Sequence, residues 1–373
     1  VGASIPNLGI YVHFPWCVHK CPYCDFNSHP LKDGLQEQPY TQALLADIAG
    51  STELIASRDI TSVFFGGGTP SLFSPQSFSQ VLRALRVTAL QLSPEITIEA
   101  NPGTREYHGF DGYRAAGINR LSLGAQSFSD KALKRLGRIH SASETLRAFA
   151  DARRAGFDNI NLDIMYGLPE QSPTDALDDL GKAIELGPEH ISWYELTLEP
   201  KTEFHRRPPV LPAEDSMHEM ESAGRVLLEA AGYVRYEVSA WSRPYRQSAH
   251  NLNYWRFGDY AGFGAGAHGK ISDSAGIRRT ARASQPRLYM NDPAHHTVTQ
   301  LDARRLRFEF LLNVLRLPDG ATFADLSATT GLDAGVLEPE WSEGVKRGLL
   351  RKDRIATTPL GFVYLDGVLQ TFL

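Results

Sequence analysis

The chain is 373 residues long, 42% hydrophobic and 22% charged, with a formal net charge of −5; this describes a globular protein with room for one large and one smaller domain. The acidic balance excludes broad electrostatic attraction to nucleic acid, and no run of about 18 apolar residues is present to cross a bilayer. Residues 1–7 carry no basic stretch followed by an apolar one, so a cytoplasmic location is expected rather than export.

In chain order, six β-branched or aromatic runs alternate with helical patterns. The predicted strands are Gly9–Phe14, Ile60–Phe65, Glu95–Ala100, Arg120–Ala125, Asn159–Tyr166 and His190–Leu198. The predicted helices are Tyr40–Ile55, Pro75–Leu90, Glu106–Ala116, Asp130–Arg154 (two helices in one stretch), Pro173–Leu186 and Ala213–Ala230. Ser74-Pro75 and Ser172-Pro173 read as N-caps followed by proline at the first helical position, and Gly117, Gly156 and Gly232 stand where C-terminal caps belong. Strict β-α alternation implies parallel strands joined by right-handed crossovers. Tyr233–Trp241 reads as a further strand, whereas residues 270–300 lack periodicity and read as a linker. From Asp302, helices over Ala303–Leu315, Phe323–Thr329 and Pro339–Leu349 lead to a hairpin-like end, Arg354–Thr358 and Phe362–Leu365, a winged-helix-like outline. The predicted division is 1–240, 241–300 and 301–373.

All three cysteines, Cys17, Cys21 and Cys24, fall within eight residues. An odd number cannot close into disulfides, and three soft thiolates on one loop suit a zinc ion or an iron–sulfur cluster. Zinc would need His13, His19 or Asp25 as a fourth ligand, whereas three thiolates hold a four-iron cluster with one iron left open. The loop follows the first strand. Gly66-Gly67-Gly68-Thr69-Pro70 follows the second, Glu99 ends the third, Gln126 the fourth, and Asp163 lies in the fifth. Active sites in barrels gather at such strand ends. The glycines offer backbone N–H groups approachable without a Cβ, suited to an amine and a carboxylate; the plain alternative is a tight turn.

The C-x3-C-x2-C spacing, flanked by Tyr-Val-His-Phe-Pro-Trp and Asp-Phe-Asn-Ser-His, resembles the radical S-adenosylmethionine (SAM) superfamily. The match is to its coproporphyrinogen III oxidase-like branch, which contains both oxygen-independent oxidases and heme chaperones. The resemblance implies an α/β fold, a partial (β/α)6 barrel, with a [4Fe-4S] cluster on Cys17, Cys21 and Cys24. It implies SAM contacts from Gly67, Gly68, Thr69, Glu99, Gln126, Arg138 and Asp163, with Tyr11 near the sulfonium or carboxylate and Tyr23 beside the adenine. The ordinary reading of each carboxylate or cation is a solvated or paired strand end, and of each tyrosine, packing around the loop. His13 points into the barrel as a core histidine or a substrate contact.

Three features separate the branches. Oxidases carry a further cysteine two residues after the third, and here that position is Phe26; they also carry an N-terminal extension before the barrel. The string His250-Asn251-x-x-Tyr254-Trp255 resembles instead the heme-binding mark of the chaperones, which makes His250 the candidate heme ligand and His268, in Gly-Ala-His-Gly, its competitor. The expected function is that of a heme chaperone delivering heme to acceptor proteins. The alternatives are an oxidative decarboxylase of coproporphyrinogen III and a zinc-stapled binding module. The basic cluster Lys346, Arg347, Arg351, Lys352 and Arg354 reads first as a solvated helix end; an acidic partner or an anionic membrane surface are its alternatives.

Overall fold

Alternation along the strands decides the architecture. In β1 (Leu8–Phe14), Leu8, Ile10, Val12 and Phe14 face the helices, while Gly9, Tyr11 and His13 face the other way. Five more strands repeat the pattern: β4 (Ile60–Gly67), β5 (Glu95–Ala100), β6 (Arg120–Gln126), β7 (Ile160–Tyr166) and β8 (His190–Glu195). Val63, Phe65, Ile96, Ile98, Leu121, Leu123, Leu162, Ile164 and Ile191 join one core with the surrounding helices. Full burial of each such side chain contributes about 1.5–3 kcal/mol. The opposite row reads Ser62, Thr97, Glu99, Arg120, Ser122, Asn161, Asp163, His190 and Ser192, so the concave face is polar; six of these are buried, and Glu99, Asp163 and Ser192 are partly exposed.

The computed structural model describes residues 7–32, 34–56, 58–88, 94–103 and 109–373. The six strands pair in parallel in chain order. Two short strands, β2 (Trp16–Cys17) and β3 (His29–Pro30), form a separate parallel pair that closes the cysteine loop. Helix Pro173–Leu186 starts as the Ser172-Pro173 signal predicts, with a capping box between Ser172 and Asp175. The predicted stretch Asp130–Arg154 divides into Asp130–Arg135 and Ala142–Arg154, leaving Arg138 on the connection. Of the predicted helices Glu106–Ala116 and Pro75–Leu90, residues 106–108 and 89–90 lie outside the described residues; the described parts run Phe110–Ala116 and Pro75–Thr88.

The sheet does not stop at six strands. On one side β8 pairs antiparallel with β10 (Ala240–Ser242), which pairs with β9 (Val234–Glu237). On the other, β11 (Asp259–Phe263) lies parallel to β1 and leads through β12 (His268–Asp273) and β13 (Gly276–Arg282) to β14 (His296–Gln300). The sheet is therefore twelve-stranded, and the linker expected over 270–300 is corrected to three antiparallel strand segments and the helix Pro286–Asn291. The arginines that make this stretch look like a loop are paired. Arg282 bonds Asp47 at 2.6 Å, and Arg279 pairs with Glu309. Alongside, Asp259 takes Arg58 at 2.6 Å and Lys270 at 2.7 Å, all buried.

A second core, containing Leu306, Phe310, Leu326, Trp341, Ile355 and Phe372, belongs to the C-terminal helices, and Phe257 and Ile277 join it from the sheet side. The predicted terminal hairpin is corrected. Ile355 and Thr357 form isolated bridges to Ala321 and Leu350, while Pro359–Val363 and Leu365–Gln370 are helical. Thr358 caps the first of these with Pro359 behind it, a start signal of the same kind as Ser172-Pro173. In the basic cluster, Lys346 lies 3.8 Å from Glu343 and Arg351 3.0 Å from Asp353, as on a solvated helix end. Among the described residues no helix is long and apolar enough to cross a membrane.

Candidate functional site

The cysteine loop is held from both flanks. His29 N–H donates to Pro15 O at 2.7 Å, Leu31 N–H to Cys17 O at 3.0 Å, and Cys24 N–H turns back to Cys21 O at 3.1 Å. Lys20 Nζ reaches the carbonyls of Phe26 and Ser28, each at 3.1 Å. Cys17 is buried, and Cys21 and Cys24 are half-buried. Burial pushes the Cys24 thiol up, opposed by the Ser28 hydroxyl at 3.7 Å and by Lys20. The glycine loop locks onto this one, with Gly68 N–H donating to Phe14 O at 2.7 Å and Thr69 N–H to Trp16 O at 2.8 Å. Gly67 has φ +119°, and a Cβ there would meet the His13 ring at 2.5 Å. A Cβ on Gly68 would sit 2.6 Å from Trp16 O and 3.0 Å from the Cys17 sulfur. Both positions need glycine for a physical reason.

A cavity of about 500 Å³ opens at this rim. It is lined by Cys17, Cys21, Cys24, Tyr23, Gly67, Gly68, Thr69, Glu99, Gln126, Arg138 and Asp163, so eleven of the thirteen sequence-derived candidates meet in one place. Arg138 stands 3.7 Å from the Cys21 sulfur and donates to Asn101 Oδ1 at 2.6 Å and Gly124 O at 2.9 Å. Asn101 in turn donates to Thr69 Oγ1 at 3.0 Å, which ties strand-end residues of β4, β5 and β6 together. Glu99 accepts from Gly67 N–H at 3.0 Å; burial and the neighbouring Asp163 push its carboxyl up to about 8. Burial also raises Asp163, against hydrogen bonds from Asn161, Ser192 and Ser122. Gln126 sits at φ +65° where β6 shifts register against β7, and its Oε1 accepts from Tyr194 OH at 2.7 Å.

The other two candidates lie deeper. Tyr11 donates to or accepts from His13 Nδ1 at 2.9 Å, and its ring stacks on Phe64 and on His250. His250 is 5% exposed, its ring 4.6 Å from Phe64 and nearly parallel to it, with Nδ1 3.3 Å from Ser62 Oγ. Burial pushes its imidazole down to about 3. Helix Ala249–Trp255, which carries it, is capped by Glu95 at the start of β5, so His250 plugs the end of the lumen opposite the cysteines. In this arrangement it is a core histidine, and a macrocycle reaches it only if the helix leaves its seat. His268 is exposed at the start of β12.

Sequence reasoning missed Asn101, Ser122, Ser192 and Tyr194. The signal was present: Ser192 and Tyr194 continue the polar row of β8, and Ser122 that of β6, two residues from a recognised or buried polar neighbour. Chemically, the cavity offers three thiols and a guanidinium on one wall and two carboxylates on another. The thiols suit a soft metal centre, and the carboxylates suit a cationic, hydroxyl-bearing ligand. Among the described residues no three His, Cys, Asp or Glu side chains form a group around a single point that could hold a metal ion.

Residues 11–183 match the Radical SAM superfamily. The chain is 46% identical to the heme chaperone HemW of Escherichia coli (strain K12), over 99% of both chains. It is 42% identical to the heme chaperone HemW of Haemophilus influenzae, again over 99% of both. The structure resembles that of the coproporphyrinogen III oxidase from Escherichia coli, a radical SAM enzyme, with a TM-score of 0.82 and 22% identity over 99% of this chain and 90% of that one. At that identity the likeness is one of fold.

Proposed function

The chain belongs to the HemW family of the radical SAM superfamily, and from that premise we propose that it binds a [4Fe-4S] cluster and SAM and carries heme to acceptor proteins. The observation that carries the cofactor reading is the meeting of Cys17, Cys21, Cys24, Gly67–Thr69, Glu99, Gln126, Arg138 and Asp163 around one cavity. The residues fit the group: Gly68 leaves clear the space beside the Cys17 sulfur that a Cβ would fill, and the three-thiol set suits iron–sulfur ligation. Cys17, Cys21 and Cys24 would hold the cluster, which when bound would supply the electron that a sulfonium accepts. Glu99 and Asp163 accept from the ammonium and ribose hydroxyls. Arg138 pairs the carboxylate, Gly67 and Gly68 let it approach the backbone, Gln126 completes the wall, and Tyr23 lies beside the adenine.

The chaperone reading takes its support from the relatives' names and from Phe26, 59% exposed at the rim where the oxidases carry a further thiol. Heme ligation by His250 rests on the string with Asn251, Tyr254 and Trp255 and requires the helix to swing out. Soret spectra of heme bound to wild type, His250→Ala and His268→Ala test it; a shift confined to His268→Ala assigns the ligand to the exposed imidazole. For the function itself, the anaerobically reconstituted chain is expected to take up heme and pass it to a heme-free acceptor. With SAM and a reductant it should not decarboxylate coproporphyrinogen III. Decarboxylation at enzymatic rates without heme transfer would reverse the assignment.

A further inference from the structure

Asp163 is the end point of a line of hydrogen bonds that runs down the lumen. Ser248 N–H, at the cap of the helix carrying His250, donates to Tyr236 OH at 3.3 Å. Tyr236 OH lies 2.7 Å from His190 Nε2, and His190 Nδ1 lies 2.6 Å from Asn161 Oδ1. Asn161 Nδ2 then donates to Asp163 Oδ1 and to Ser122 Oγ, both at 2.8 Å. Ser122 Oγ donates to Asp163 Oδ2 at 3.3 Å, and Ser192 Oγ to Asn161 Oδ1 at 3.1 Å. His190, Asn161 and Tyr236 are all buried.

The chain has one consistent polarity. The Tyr236 oxygen accepts from Ser248 N–H and gives its own proton to Nε2, the acceptor nitrogen left when Nδ1 donates to the Asn161 carbonyl. A neutral imidazole has one donor and one acceptor nitrogen, so Nδ1 carries the proton and Asn161 must offer its carbonyl to it. Burial and Arg120 keep the imidazole neutral. The amide NH2 is thereby left facing Asp163. Reversed, Asn161 would set a carbonyl against the carboxylate and its NH2 against the Nδ1 proton.

We infer that His190, which touches no ligand in the proposed cavity, is a positioning residue: it fixes the amide of Asn161 so that Asp163 stays a charged acceptor. The inference rests on the reading of Asp163 as a SAM contact. Other groups acting on Asp163 are Glu99 on β5, which repels it, Arg120 on β6, which attracts it, and Tyr194 on β8, in addition to the Ser122 and Ser192 hydroxyls. Of these only Ser192 also reaches Asn161 Oδ1, at 3.1 Å, and a hydroxyl can turn to accept from an amide, whereas the Nδ1 proton of His190 can only donate.

The test reads Asp163 directly. Infrared spectra of the full chain with carbon-13-labelled aspartate, minus those of Asp163→Asn, report its protonation against pH without SAM. His190→Leu is expected to raise the midpoint by about one pH unit or more, the loss of a hydrogen bond supporting a charged group. His190→Asn, which keeps an N–H near Nδ1, is expected to restore it. Tyr236→Phe, which frees the imidazole to exchange tautomers, is expected to shift the midpoint the same way and serves if His190→Leu does not fold. An unchanged midpoint in a folded His190→Leu or Tyr236→Phe, or equal shifts in His190→Asn and His190→Leu, overturns the inference. In the cluster-loaded chain, His190→Leu should weaken SAM about tenfold at a pH below both infrared midpoints, and not at all in an Asp163→Asn background. Failure of the cluster-loaded wild type to bind SAM would overturn the functional reading, while the infrared midpoints would still decide the role of His190.

Discussion

Glu99 and Asp163 put two carboxylates beside one cavity, and burial first, then the Asp163 charge, pushes the Glu99 carboxyl up to about 8. A carboxyl raised above its ordinary range stabilises the fold in its protonated form. That contribution is whole below the usual carboxylate range and is lost as pH rises toward and through about 8. Glu99→Gln is therefore expected to flatten the pH dependence of urea stability and to leave the cofactor-free chain more stable than wild type at pH 9. The same substitution should weaken SAM if, as proposed, this carboxylate is an acceptor for it. Binding of a cationic ligand should also draw the proton off Glu99. Calorimetry of SAM binding near pH 7 is then expected to give an enthalpy that varies with the ionisation enthalpy of the buffer; no variation would mean that Glu99 is already charged. Loss of one charge-assisted contact, by Glu99→Ala or Arg138→Ala, should cost about 1.5–3 kcal/mol, roughly 10- to 150-fold in affinity.

At the level of elements, the sheet extension is fastened to the barrel by buried ion pairs. Asp259 holds both Arg58 and Lys270, and Asp47 holds Arg282 together with the Tyr289 hydroxyl at 3.0 Å. Removing the shared acid leaves two buried cations without it, so Asp259→Ala is expected to lower stability by about 3–5 kcal/mol in urea unfolding. The effect should be smaller for an exposed pair such as Arg351–Asp353. These pairs also explain what could be read in advance. The six barrel strands were legible because aliphatic residues alternate with polar ones along each, and Ser172-Pro173 announced its helix. Arg278-Arg279-Thr280-Ala281-Arg282 was not legible as a strand, because the partners that let Arg279 and Arg282 lie in a sheet are distant in sequence: Glu309 and Asp47. Thr358-Pro359 carried a helix start that the hairpin pattern obscured. At the site, residues supplied by named motifs were legible. Ser192 and Tyr194 belong to no motif; only the polar alternation of β8 marks them, and their partners Asn161 and Gln126 lie on other strands.

Across the whole molecule, the lumen has two differently built ends. The cysteine and glycine loops form the mouth, and Phe204 N–H donates to Pro22 O at 3.0 Å, joining the connection after β8 to the cysteine loop. The opposite end is closed by Ala249–Trp255, seated on Glu95 and stacked against Phe64 and Tyr11. Heme binding through His250 would then report on the opening of that end, and hydrogen exchange of residues 249–255 is expected to rise on adding heme. Unchanged exchange, with heme bound, would point to His268 instead. On the proposed reading, in which the string at His250 marks a chaperone, Phe26→Cys alone is not expected to confer coproporphyrinogen oxidase activity. The most direct test of the central claim, one cavity for cluster and SAM, is Mössbauer spectroscopy of the full chain reconstituted with enriched iron, before and after SAM. The expected result is that SAM shifts the signal of a single iron, the one without a thiolate, and that Glu99→Ala and Arg138→Ala weaken this shift. A spectrum indifferent to saturating SAM, or a fully assembled cluster in Cys21→Ala, would contradict the account.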